Sequence, residues 1–274
     1  MLAEVEAQLG PGVDARRIVE RTSGYDGADL VVHLDERAPE RARLACARMV
    51  ARRQTGEPLQ YAVGAWAFRG LDLYLDQRVL IPRPETEQVV EVARDELRRL
   101  AVRAPLVVDL GTGSGAIALS IAVEVPGADV WATDVSADAL AVARANLAGV
   151  GGRAATRVRL VEGSWFDALP EALRGQVHLL VSNPPYVADD ETLPAVVADW
   201  EPPGALRAGR TGLEAVGAIV AGASAWLARP AALVLEIAPH QAERAVALAR
   251  AAGFDDVDVR ADLSGRARAL VGRV

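Results

Sequence analysis

The sequence predicts an α/β protein: a mostly parallel sheet covered by helices, preceded by a small helical block and a short β-hairpin. Three observations carry this. From Pro105 onward, short apolar runs alternate with helical patterns, as strand–helix units do in a parallel sheet buried on both faces. The residues before Tyr61 hold only helical patterns. Between the two lies a pair of short alternating runs around a glycine.

Taken in order, Asp14-Ala15-Arg16-Arg17-Ile18-Val19 offers an Asp N-cap, and Pro39 to Arg53 is a charged–apolar helical pattern. Trp66 to Gly70 and Leu71 to Leu75 alternate like the strands of a hairpin. Ile81-Pro82-Arg83-Pro84 is expected to be a rigid loop, because two prolines bar both helix and central strand. Thr86 to Leu100 returns to helical periodicity. Leu106 to Leu110 then reads as a strand leading into a helix from Gly115, and Val130 to Thr133 as a strand leading into a helix from Asp138. Arg157 to Val161 and Val177 to Val181 are the next two strands. Gly212 to Ala228 is expected to be helical, Ala232 to Ile237 a strand and Gln241 to Ala252 a helix. Val257 to Arg260 and Arg268 to Val271 close the chain as an antiparallel edge. The implied division is a helical domain over residues 1–59, a hairpin linker with its Pro-rich loop over 60–84, and the α/β domain over 85–274.

Composition removes several classes of function. Apolar residues make up 51% of the chain, enough to bury a sizeable core, while the net charge of −7 leaves no general footprint for nucleic acid or anionic membrane. There is no lysine, which excludes Schiff-base chemistry, a P-loop lysine and a lysine base. The single cysteine, Cys46, rules out an internal disulfide and fits a reducing compartment. His33, His178 and His240 stand far apart, and no Cys/His group has metal-ligand spacing, so no metal is expected. The first residues lack a basic segment followed by an apolar one, and no apolar run reaches bilayer length. The expectation is a soluble cytoplasmic protein.

Three motifs carry chemistry. Asp109-Leu110-Gly111-Thr112-Gly113-Ser114-Gly115 leaves a strand and opens a helix. Its glycines permit positive φ and close approach of backbone to a ligand, beyond the carboxyl ends of the strands where such sheets bind ligands. The spacing is not the full dinucleotide pattern, and a plain tight strand-to-helix turn is the lesser alternative. Asp134 ends the next strand, where an acidic group accepts both hydroxyls of a ribose; dinucleotides and S-adenosylmethionine share that ribose. Ser182-Asn183-Pro184-Pro185-Tyr186 follows the fourth strand. The Asn183 side-chain oxygen and the Pro184 carbonyl suit both hydrogens of an NH2 group, turning its lone pair outward. Tyr186 supplies a ring to stack on a planar amide or base, or to face a methyl cation.

The Asn183 to Tyr186 motif with the glycine loop resembles the class I amino-methyltransferases, which modify adenine or protein glutamine. Longer motifs narrow this. Gly56 to Tyr61, Phe68-Arg69-Gly70-Leu71, Val79 to Glu87, Asp109 to Leu119, Asp134, Ser164-Trp165-Phe166, Glu201-Pro202 and Ala205-Leu206 together resemble the release-factor glutamine methyltransferase family (PrmC/HemK), from about Asp14 to the C-terminus. The resemblance implies a Rossmann-like, seven-stranded class I methyltransferase domain with a small helical N-terminal domain and a β-hairpin linker. It implies cofactor binding by Gly111, Thr112, Gly113, Ser114, Gly115 and Asp134, and by Asn183, with Trp165 beside the adenine. Asn183, Pro184, Pro185 and Tyr186 would hold the substrate glutamine, with Asn183, Pro184 and Tyr186 as the catalytic group, and the loop from Arg83 to Glu87 would help close the site.

The implied reaction transfers methyl from S-adenosylmethionine to the N5 nitrogen of the glutamine in the Gly-Gly-Gln motif of bacterial class 1 peptide chain release factors, leaving S-adenosylhomocysteine. Two rivals stand beside it. A DNA or RNA exocyclic-amine methyltransferase would use the same four residues, but would need a flipped base and phosphate-binding arginines. A methyltransferase-like binding module would be expected to lose the glycines, Asp134 or Asn183, and all are present. The chain departs from the family at Ala208 to Leu213 and at Arg229 to Ala232, which puts loop details rather than chemistry in question.

Overall fold

The computed structural model describes residues Met1–Val274. Helices Leu2–Leu9, Val13–Ser23, Gly27–Val32, Glu40–Gln54 and Leu59–Val63 form the N-terminal block. They close on a small core that includes Val5, Ile18, Val19, Leu30, Cys46 and Val50. Burial raises the Cys46 thiol pKa, which keeps it protonated and inert. Asp14 is not a cap: Gly12 holds that position, and the Asp14 carboxylate instead accepts from Arg53 at 2.6 Å, tying two helices. A long-range partner thus outcompetes the local capping role.

Strands β1 (Ala65–Phe68) and β2 (Leu71–Tyr74) pair as the expected hairpin. Its turn residue Arg69 donates to Glu91 at 2.9 Å and to Glu124 at 2.5 Å. The hairpin is thereby riveted to helices Pro84–Leu100 and Ala116–Glu124. The first of these starts two residues before Thr86 because Pro84, whose missing N–H costs nothing there, opens it.

The main sheet comprises β3 (Leu106–Leu110), β4 (Asp129–Asp134), β5 (Val158–Glu162), β6 (Val177–Ser182), β7 (Leu227–Glu236), β8 (Asp256–Ala261) and β9 (Ala267–Arg273). Its order is β5-β4-β3-β6-β7-β9-β8. The first five are parallel, and β9 runs antiparallel between β7 and β8. One face packs on helices Pro84–Leu100, Ala116–Glu124 and Ala137–Val150, the other on Glu214–Ala223 and Ala242–Ala251. The chain winds outward in opposite directions from β3 and β6, so a crevice opens beyond their carboxyl ends.

Two further boundaries differ from expectation. The helix after β4 starts at Ala137 rather than Asp138, capped by Ser136, whose hydroxyl accepts from Ala139 N at 3.1 Å. The helix expected over 212–228 spans only Glu214–Ala223, because the chain from Trp226 already pairs with β6. Trp226 stacks on Phe166 with ring centroids 5.9 Å apart. Arg229 to Ala231 fall where the β6–β7 register shifts, which suits Pro230, a residue without an N–H for the ladder. No helix is long and apolar enough to cross a membrane.

Candidate active site

A cavity of ≈ 420 Å³ occupies the crevice. Its floor is the loop after β3. Gly111 N and Thr112 N both donate to Thr133 O at 2.8 Å, folding the loop against β4. Gly111, Gly113 and Gly115 all have positive φ, at 72°, 56° and 85°, a conformation that L side chains resist. Behind the loop, Asp109 is fully buried. It accepts from the Thr112 hydroxyl at 2.7 Å and Ala118 N at 3.2 Å, while Oδ1 has no partner. Burial pushes its pKa up to about 7.

Asp134 stands at the rim, at the end of β4. Its Oδ2 accepts from Gly113 N at 2.8 Å and its Oδ1 from Ser136 N at 2.9 Å. Each carboxylate oxygen retains a lone pair, so the group is held in place yet able to accept from a diol. Trp165 begins a short turn of 3₁₀ helix after β5, at φ 44°. A Cβ on Gly111 would lie 3.5 Å from its ring, so the indole packs against the glycine loop at the cavity wall.

Across the crevice, β6 delivers Asn183. Ser182 anchors the strand end by donating to Leu110 O, and Asn183 Nδ2 donates to Thr86 Oγ1 at 3.2 Å. The Thr86 hydroxyl in turn donates to Glu236 Oε2 at 2.7 Å. The Tyr186 hydroxyl reaches Glu236 Oε1 at 3.4 Å, and Arg268 Nη1 lies 3.9 Å from the same oxygen. Burial pushes the Glu236 pKa up to about 7 and raises that of Tyr186.

Gly111, Thr112, Gly113, Ser114, Asp134, Trp165, Asn183 and Pro185 all line the cavity. Three residues singled out from the sequence do not. Gly115 lies behind the loop against Leu119 and Ala143, while Pro184 is buried and the Tyr186 hydroxyl turns to Glu236, so neither is part of the cavity wall. The Pro-rich segment forms the roof through Val79, Leu80 and Pro82. Glu201 fixes that roof by accepting from Ile81 N at 3.1 Å and Arg83 Nη2 at 2.5 Å. The departing loop from Ala208 to Leu213 packs under Tyr186 and retains glycine where it matters. A Cβ on Gly212 would lie 2.5 Å from Tyr186 O.

Sequence reasoning missed Glu236 as a member of the site and placed Thr86 only within the closing loop from Arg83 to Glu87. A glutamate closing the apolar run Leu233-Val234-Leu235 was a readable signal, since charged residues are rarely buried without a partner.

A seven-stranded sheet of this order, with a glycine loop, an acidic strand end and the Asn183 loop around one crevice, defines a class I methyltransferase. Residues 95–248 match the methyltransferase small domain, and residues 3–64 match the PrmC N-terminal domain. The chain is 44% identical to the release factor glutamine methyltransferase of Burkholderia pseudomallei, over 96% of this chain and 92% of that one. It is 42% identical to the enzyme of the same name from Bordetella pertussis, over 97% and 96%. The chain belongs to the release factor glutamine methyltransferase family. Solved structures share the fold at low identity. A Pyrococcus furiosus methyltransferase superposes with TM-score 0.55 at 17% identity, covering 81% of this chain and 98% of that one. The N-terminal domain of human METTL16 in complex with SAH gives 0.52 at 17%, covering 84% and 81%.

Proposed function

We propose that the protein methylates the N5 side-chain nitrogen of the glutamine in the Gly-Gly-Gln motif of class 1 release factors in the cytoplasm, with S-adenosylmethionine as donor. The observation that carries this reading is that Asn183 shares one cavity with the glycine loop and Asp134.

The residues present suit that cofactor. Asp134 has a free lone pair on each backbone-anchored oxygen for the ribose hydroxyls, and Gly111 and Gly113 leave the cavity floor without side chains. Trp165 offers a flat face for the adenine. When bound, the cofactor supplies an electrophilic methyl on a sulfonium. The chain's own residues do the rest. Asn183 Oδ1 and the Pro184 carbonyl accept the two amide hydrogens of the glutamine, turning the nitrogen lone pair toward the methyl. Pro185 and Tyr186 flank the amide plane. A neutral amide is a poor nucleophile, so positioning and these acceptors supply most of the rate. No strong base is required, because the nitrogen becomes acidic only as its new bond forms and its proton then leaves to solvent.

Mass spectrometry of a release factor incubated with the enzyme and S-adenosylmethionine tests the reading. A gain of one methyl group on the Gly-Gly-Gln peptide is expected; an unmodified peptide, with the enzyme shown to bind cofactor, overturns it.

A further inference from the structure

We propose that Glu236 is a positioning residue for methyl transfer: acting through the Thr86 hydroxyl, it fixes which end of the Asn183 amide faces the crevice. This rests on the reading of Asn183 as the acceptor of the substrate NH2 group.

The two ends of an asparagine amide are nearly the same shape, so packing alone does not choose between them; hydrogen-bond partners do. Asn183 must turn its oxygen, not its nitrogen, toward an NH2 substrate. Thr86, on the helix that follows the Pro-rich loop, is its observed partner at 3.2 Å. A lone threonine cannot make the choice, since its hydroxyl both donates and accepts. Glu236 removes that freedom. Above its pKa of about 7 the carboxylate only accepts, and it takes the single Thr86 proton at 2.7 Å. Thr86 Oγ1 is then left only with lone pairs toward Asn183, which must answer with its NH2 end. The Asn183 oxygen is thereby committed to the cavity side.

Glu236 is well placed for this work. It ends β7, is fully buried, and its second oxygen is met by the Tyr186 hydroxyl and the Arg268 guanidinium. Three segments far apart in sequence thus converge on one carboxylate, two of them bearing on the Asn183 to Tyr186 loop. A carboxylate buried only for stability would be an expensive choice, because an apolar residue of similar volume costs less desolvation.

The test uses Thr86→Val, Thr86→Ser, Glu236→Gln and the Thr86→Val/Glu236→Gln double variant in the full chain. Valine keeps the shape of threonine but breaks the relay, and serine restores the hydroxyl. Thr86→Val and Glu236→Gln are each expected to lower kcat on release factor about tenfold, the worth of one hydrogen bond to a reacting geometry, with little change in the cofactor KM. The double variant is expected to be no slower than the slower single, and Thr86→Ser to retain most of the rate. A wild-type kcat in Thr86→Val, fully multiplied losses in the double variant, or a Thr86→Ser enzyme as slow as Thr86→Val would overturn the relay. If Glu236→Gln does not fold, the threonine pair still decides. A readout independent of substrate is the side-chain NH2 resonance pair of Asn183, identified by its loss in Asn183→Ala. It is expected to shift in Thr86→Val and Glu236→Gln and to be preserved in Thr86→Ser; unshifted signals refute the relay. Should the wild-type enzyme methylate no glutamine, the functional reading falls, and these resonances still decide the relay.

Discussion

Asn146 grips Tyr74 at both of its backbone polar atoms: Tyr74 N donates to Asn146 Oδ1 at 2.7 Å, and Asn146 Nδ2 donates back to Tyr74 O at 3.1 Å. The amide acts as the strand partner that the outer edge of β2 lacks. The same nitrogen donates to Ser114 O at 2.8 Å, so one buried side chain couples the hairpin to the glycine loop.

Asn146→Ala is therefore expected to cost on the order of 2–3 kcal/mol of stability, as three hydrogen bonds are lost and the buried Ser114 carbonyl loses its donor. Urea unfolding monitored by circular dichroism measures it. A loss within experimental error of zero would mean that water replaces the amide freely.

Asp134→Ala is expected to weaken S-adenosylmethionine binding by about 1.5–3 kcal/mol, the worth of charge-assisted hydrogen bonds. Some of the loss comes from the glycine loop, since Gly113 N and Ser136 N lose their acceptor. Calorimetric titration reads the affinity directly, and an unchanged value would remove Asp134 from the cofactor site.

Asn183→Ala is expected to slow methyl transfer by about a hundred- to a thousandfold, as loss of one positioned polar group does in other enzymes. Cofactor affinity should largely survive. Asn183→Asp keeps an acceptor but loses its donor to Thr86, so it should stay poor while exceeding the alanine variant. Single-turnover rates at saturating substrates separate the three enzymes; equal rates would make Asn183 structural.

Gly212→Ala tests how the Asn183 loop is supported. At φ 72° a Cβ is strained, and it would lie 2.5 Å from Tyr186 O and 2.8 Å from Gln241 Nε2. Gln241 Nε2 now bonds both Tyr186 O at 2.9 Å and Gly212 O at 3.0 Å. The variant should lose stability and turn over slowly even where it remains folded. Thermal unfolding together with kcat measures both effects.

Stability should also fall as pH rises toward neutrality, partly because of Asp109. Burial raises its folded pKa to about 7 from an ordinary value of 3.8. Between those values the unfolded chain has released a proton that the folded chain retains. Unfolding is therefore favoured as pH rises through this window, and the effect levels off above about pH 7. Denaturant unfolding of wild type and Asp109→Asn from pH 5 to pH 8 isolates the contribution. The wild type should lose more stability than the variant over that range, and parallel curves would contradict the assignment.

Much of this molecule was written locally. The glycine loop, Asp134 and the Asn183 loop were each visible because their geometry is set by a few consecutive residues: positive φ at Gly111 and Gly113, a carboxylate ending a strand, and two prolines fixing a turn. The alternation of runs also foretold the parallel sheet. Boundaries slipped where a distant partner won. Asp14 turned from a cap to Arg53, and the chain after Ala223 left its helical pattern to pair with β6.

The sequence by itself therefore determined the architecture, the family and the motifs from which several of the crevice residues come, because strand period, turn chemistry and motif spacing act over short stretches of chain. Only the tertiary structure decided that Thr86, Asn183, Tyr186 and Glu236 form one network, and that Asn146 joins hairpin to loop. Those bonds link residues brought together by the strand order and by the docking of helix Pro84–Leu100 on the sheet. A hydrogen bond acts over about 3 Å in space, whatever the separation along the chain.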